Sequence, residues 1–181
     1  MEILLGVIGI LILIAVFMYN RLITLRNSVK NAWAGIETQL QRRYDLIPNL
    51  VETVKGYMAH EREVLESVTK ARTAFLNADS VKETAQAENM MAGALKTLFA
   101  VSENYPELKA SQNFLMLQEE LAGTENKVSY ARQRYNNSVM DYNTAIQKFP
   151  ANIFAGMFGF KETDFFEVEN EQVRQAVKVE F

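Results

Sequence analysis

Ile3-Leu4-Leu5-Gly6-Val7-Ile8-Gly9-Ile10-Leu11-Ile12-Leu13-Ile14-Ala15-Val16-Phe17-Met18 is sixteen residues without a charged or polar side chain, and a charge-rich chain follows it. At about 1.5 Å per residue, a helix over this run spans roughly 24 Å, a little short of the ~30 Å hydrocarbon core of a bilayer. Tyr19, Leu22 and Ile23 extend the apolar reach, and Arg21 can snorkel outward. The reading is a single-pass anchor over residues 1–19, in contact with lipid through Ile3, Leu4, Leu5, Val7, Ile8, Ile10, Leu11, Ile12, Leu13, Ile14, Val16, Phe17 and Met18. A cleaved signal peptide would want a basic leader and small residues before the cut. Here only Met1 and Glu2 precede the run, and Ala15 is the single small residue of 15–19. Without cysteine, a lipoprotein anchor is excluded. Arg21, Arg26 and Lys30 follow the run with no acidic residue before Glu37. The positive-inside bias therefore predicts the N-terminus outside the inner (cell) membrane and the rest in the cytoplasm.

The remaining residues are poor in Gly and Pro and rich in Ala, Leu, Glu, Lys, Gln, Asn and Met, a mix that favours helices. Net charge is −3 for the whole chain. Residues 161–181 hold six acidic and three basic side chains, which predicts a solvated acidic tail. The part between, 20–160, is close to neutral, where a nucleic-acid binder would carry a basic excess. Apolar residues there keep a three-and-four spacing. They run through Leu22, Leu25, Val29, Trp33, Ile36 and Leu40, then Val54, Val68, Ala71 and Phe75, then Ala85, Met91, Leu95 and Leu98. A last series runs from Leu115 to Ile146. Breaks are expected at Pro48, Asn77–Ser80, Tyr105–Pro106 and Phe149–Pro150, with Asp79 or Ser80 capping the third helix. The fourth helix, from near Ser111 to Phe149, carries Val128, Tyr135, Tyr142 and Phe149 seven apart, a coiled-coil-like seam. The predicted fold is all-α: one transmembrane helix, then an elongated up-and-down four-helix bundle over 20–160.

Chemistry is sparse. His60 is the sole histidine, so neither a helical zinc-protease pair nor a di-iron set of Glu-x-x-His motifs can be assembled. Thiol chemistry is excluded, the glycines do not cluster into a phosphate loop, and His60 sits in a run of charge typical of an exposed helix face. No catalytic residue, metal or cofactor is predicted. Arg42-Arg43-Tyr44-Asp45 before Pro48 reads first as a helix-capping set, with an ion-pair switch or docking site as the alternative. Tyr135-Asn136 and Tyr142-Asn143 read as core tyrosines with asparagines that bond a neighbouring helix. After Pro150 the chain turns aromatic. Phe149, Ile153, Phe154, Met157, Phe158, Phe160, Phe165 and Phe166 read either as a loop folded onto the bundle end or as a sticky surface for lipid or a second subunit.

Arg43-Tyr44-Asp45-Leu46-Ile47-Pro48-Asn49-Leu50-Val51-Glu52-Thr53-Val54-Lys55-Gly56-Tyr57 resembles the LemA family of bacterial membrane proteins. So do Glu103-Asn104-Tyr105-Pro106-Glu107-Leu108-Lys109-Ala110, Glu120-Leu121-Ala122-Gly123-Thr124-Glu125-Asn126, Ala131-Arg132-Gln133-Arg134-Tyr135-Asn136 and Gly159-Phe160. The resemblance implies one N-terminal membrane helix, a helical bundle and no established catalytic activity. It also implies a link to a membrane zinc protease of the HtpX type, and in one branch to magnetosome membranes. Together these readings predict a non-catalytic, self-associating membrane scaffold or adaptor. The other reading is a regulatory partner of such a protease or of another envelope enzyme.

Overall fold

A computed structural model of the chain describes residues 1–167. These fold into six helices, α1 (Glu2–Lys55), α2 (Arg62–Leu76), α3 (Val81–Ser102), α4 (Pro106–Lys109), α5 (Gln112–Gln147) and α6 (Ala151–Met157). The expected all-α class holds, but the count is six rather than four. The two additional helices are short and occupy segments read as connections: α4 starts at Pro106, where a missing N–H costs nothing, and α6 stands where a loop was expected.

The expected break at Pro48 does not occur, and α1 continues through it to Lys55. A helix-interior proline costs about 3 kcal/mol, yet Tyr44, Ile47, Leu50 and Val54 around it are all buried. At roughly 1.5–3 kcal/mol for each large apolar side chain, that burial outweighs the proline. Pro48 itself lies on the exposed face, so its ring displaces no packing. The helix ends at Gly56 instead. There the backbone N–H groups of Tyr57 and Met58 both donate to the Val54 carbonyl, at 3.0 and 2.9 Å, and Met58 is buried under the turn.

The described chain divides into two compact units. The first holds Met1–Arg42 and Gly123–Phe165, and the second Arg43–Ala122 together with Phe166. In the first, Leu22, Val29, Ala32 and Ile36 of α1 and Val128, Tyr135, Val139, Tyr142 and Ile146 of α5 form the core. The Trp33 and Tyr135 rings lie 5.3 Å apart between centroids. The seven-residue seam ends at Tyr142, because α5 stops at Gln147 and Phe149 points to solvent. In the second unit α2 and α3 pair, with Val68, Ala71, Met91, Leu95 and Leu98 inside. The cap expected for α3 is present: Ser80 Oγ accepts from the Glu83 N–H at 3.2 Å, and the Glu83 carboxylate accepts from the Ser80 N–H at 3.1 Å. This reciprocal box satisfies two of the orphan donors of the helix start.

The segment 161–167, expected to begin a solvated tail, is tied down along most of its length. The Tyr142 hydroxyl donates to the Lys161 carbonyl at 2.9 Å and the Tyr135 hydroxyl to the Asp164 carbonyl at 2.8 Å. Between them Asn143 makes two bonds to Thr163, donating to its carbonyl at 2.9 Å and accepting from its N–H at 3.0 Å. The rest of the acidic tail, from 168 onward, lies outside the described residues.

Candidate functional site

Three places gather polar or unpartnered groups. The first is inside the second unit. Arg43, on α1, donates to Glu88, on α3, with the two residues only 3% and 5% exposed. Tyr44 turns its hydroxyl to the same carboxylate at 3.3 Å, and its ring stacks on Phe75 at 3.9 Å between centroids, 4° from parallel. Burial, then the Glu88 charge, pushes the Tyr44 phenol far above its ordinary value, while the Arg43 charge opposes this. This cluster replaces the capping role expected for Arg42-Arg43-Tyr44-Asp45: these residues lie within α1, whose backbone supplies the bonds a cap would make. In place of a cap, Arg43 forms an ion pair with Glu88 in the interior. Glu88 escaped the sequence reading although a signal existed. Thr84, Glu88, Met91, Leu95 and Leu98 share one helical face, and a carboxylate on an apolar stripe calls for a buried partner.

The second is a groove of about 390 Å³ in the first unit, lined by Ala32, Gly35, Gln39, Asn126, Lys127, Tyr130, Ala131 and Arg134. Ala32, Gly35 and Ala131 make it concave, and Tyr130 on its edge is 72% exposed. Gln39 Oε1 is buried without a hydrogen-bond partner. The sequence reading singled out none of these as a surface, since small residues on a helix carry no signal of a depression.

The third is the aromatic segment. Phe149, Ile153, Met157, Phe158 and Phe165 are exposed, and Phe154 and Phe160 are half-buried. Phe166 is buried and so belongs to a core, not to that surface. Tyr19 meets Phe158 and Phe160 edge-on at 4.9 and 5.9 Å, and the Arg26 guanidinium lies 5.2 Å from the Phe160 ring centre. Gly159 makes this possible. It adopts φ +68°, the Phe160 N–H bonds back to the Ala155 carbonyl at 2.9 Å, and the Schellman turn so formed delivers Phe160 to α1. The apolar residues from Ile3 to Phe17 are largely exposed. Among the described residues, α1 is the one helix long and apolar enough to cross a membrane. His60 is exposed, and no group of three or more His, Asp or Glu converges among the described residues.

Helices throughout, an outward-facing apolar segment and polar groups used for internal pairing define an all-helical, membrane-associated protein. The chain belongs to the LemA family, whose sequence profile matches residues 32–181. It is 28% identical over 180 residues to Protein LemA of Metamycoplasma hominis, covering 92% of this chain and 80% of that one. It is also 24% identical to Magnetosome protein MamQ 2 of Paramagnetospirillum magneticum and 23% identical to Magnetosome protein MamQ of Magnetospirillum gryphiswaldense. Each match covers 82% of this chain and 64% of the relative. None of these names is that of an enzyme.

Proposed function

We propose that the protein is a non-catalytic, membrane-anchored helical scaffold that associates with further copies of itself through the first unit. The observation that carries this reading is the groove beside Gly35. It is a concave surface of small residues with a protruding tyrosine at its rim and one buried acceptor, Gln39 Oε1, left open. A knob and a hole on one surface are self-complementary, as a two-fold contact between identical subunits requires, and tyrosine is among the side chains that anchor such contacts. The Arg43–Glu88 cluster supports a structural role, because both charges are consumed by each other and shielded from any substrate. An anchor over residues 1–19 holds the body at the inner membrane, N-terminus outside. The magnetosome names of two relatives fit a role in organising membrane.

Crosslinking in intact cells, followed by affinity purification in mild detergent and mass spectrometry, tests the reading. A ladder of this chain alone is expected, and Gly35→Leu should abolish it while leaving the fold intact, since a Cβ at Gly35 meets nothing within 4 Å and so points into open space. A single dominant foreign membrane protein with no ladder would overturn self-association and make the chain an adaptor, an HtpX-type protease being the first identity to check.

A further inference from the structure

The exposed side chains of α6 and its flanks are not accounted for by self-association through the groove. Phe149 is 80% and Met157 73% exposed, and Ile153 and Phe158 are more than half exposed. Neighbouring contacts fix their level along α1. Trp33 packs on Tyr135. Seven residues earlier on α1 and seven later on α5, the charge of Arg26 acts on the Tyr142 hydroxyl. Seven residues earlier again on α1, Phe158 and Phe160 both pack against Tyr19. Tyr19 directly follows the apolar run that ends at Met18, where a spanning helix leaves the hydrocarbon and amphipathic aromatics gather.

We propose that α6 and the turn after it form a second, non-spanning membrane contact, with Phe149, Ile153, Met157 and Phe158 inserted at the boundary between headgroups and acyl chains. Lipid is the occupant because the patch is continuous, through the Tyr19–Phe158 contact, with the apolar surface of α1. The polar surroundings suit anionic headgroups. Lys148 and Lys161 flank the segment and are exposed, Arg26 lies over Phe160, and the nearby Glu162 carboxylate accepts from Gln147 Nε2 at 2.7 Å. Such an arrangement of apolar face and basic rim is that of interfacial helices.

The test is fluorescence of the full chain reconstituted in phosphatidylcholine–phosphatidylglycerol vesicles whose lipids carry bromine near the top of the acyl chains. The native tryptophan is removed by Trp33→Phe, and single tryptophans are introduced by Phe149→Trp, Met157→Trp, Leu11→Trp and Tyr130→Trp. Phe149→Trp and Met157→Trp are expected to lose a large part of their emission, because rings at the headgroup and acyl boundary lie beside the bromines. Leu11→Trp, in the span, should be quenched as well, and Tyr130→Trp should not. Both Phe149 and Met157 are exposed positions, so the substitutions do not threaten the fold. Met157→Trp emission as unquenched as that of Tyr130→Trp would overturn the proposal. A blue-shifted but unquenched Met157→Trp would also overturn it, since protein and not lipid would then cover the patch.

Discussion

Arg43 and Glu88 pair across forty-five residues of sequence, both closed off from solvent. The pair fixes which face of α3 meets α1, because a charge withdrawn from water needs its counter-charge at hydrogen-bond distance. Tyr44 completes the satisfaction of the carboxylate.

Removing one partner strands the other. Glu88→Ala or Arg43→Ala is expected to destabilise the chain by about 3–5 kcal/mol, whereas the double apolar replacement Arg43→Met with Glu88→Leu recovers most of that loss. Urea unfolding of the detergent-solubilised chain, followed by circular dichroism, measures both. A double variant as unstable as the worse single one would show that the loss comes from breaking the pair itself and not from stranding a buried charge.

Asn143 grips Thr163 from both sides of one peptide. Asn143→Ala leaves a backbone N–H and a carbonyl without their partners, at about 1 kcal/mol for each bond. The segment after Phe160 should loosen first, so trypsin should cut after Lys161 faster in the variant than in the parent. Asn143→Asp, which keeps the acceptor and loses the donor, should fall between.

The cap of α3 is acid-sensitive. Hydrogen bonds from the Asp79 backbone, then the Ser80 side chain, hold the Glu83 carboxyl below its ordinary value of 4.5. A depressed carboxyl contributes stability that is present above its unfolded value and lost as pH falls through the folded one. Stability should therefore fall below about pH 4.5 in the parent and less so in Glu83→Gln. Ser80→Ala should cost about 1 kcal/mol at neutral pH.

At the other end of the scale, burial, then the Asp164 charge, pushes the Tyr135 phenol from 10.0 up to about 12. Here the folded state holds its proton more tightly than the unfolded one, so the contribution is full below pH 10 and is lost as pH rises toward 12. Tyr135→Phe should flatten that alkaline decline while costing about 1 kcal/mol at pH 7 through the lost bond to Asp164.

Most of the helices were legible because apolar residues at three-and-four spacing reflect one-dimensional periodicity, and Leu22, Val29, Ile36 and Leu40, or Met91, Leu95 and Leu98, are buried as that spacing predicts. What escaped depends on partners distant in sequence. Pro48 was read by its local cost, which the burial of Tyr44, Ile47, Leu50 and Val54 overrides. The tyrosines and Asn143 of α5 were recognised as special, but their spacing suggested a helix as partner. Their true partner is the irregular segment 161–164, whose backbone groups lack a ladder of their own and take side chains instead. The aromatic segment was recognised by composition, while its level beside Tyr19 depends on the Gly159 turn.

The unbroken course of α1 has a mechanical meaning. No glycine pair, no interrupted backbone and no loop separates Met18 from the residues that pack against α5, so nothing between them can act as a swivel. Any roll of the apolar stretch about its own axis carries Tyr19, Arg26 and Trp33 round with it, and α5 with them. The first unit is therefore keyed to the apolar stretch like a flag fixed to its pole, and the groove beside Gly35 keeps one bearing relative to it.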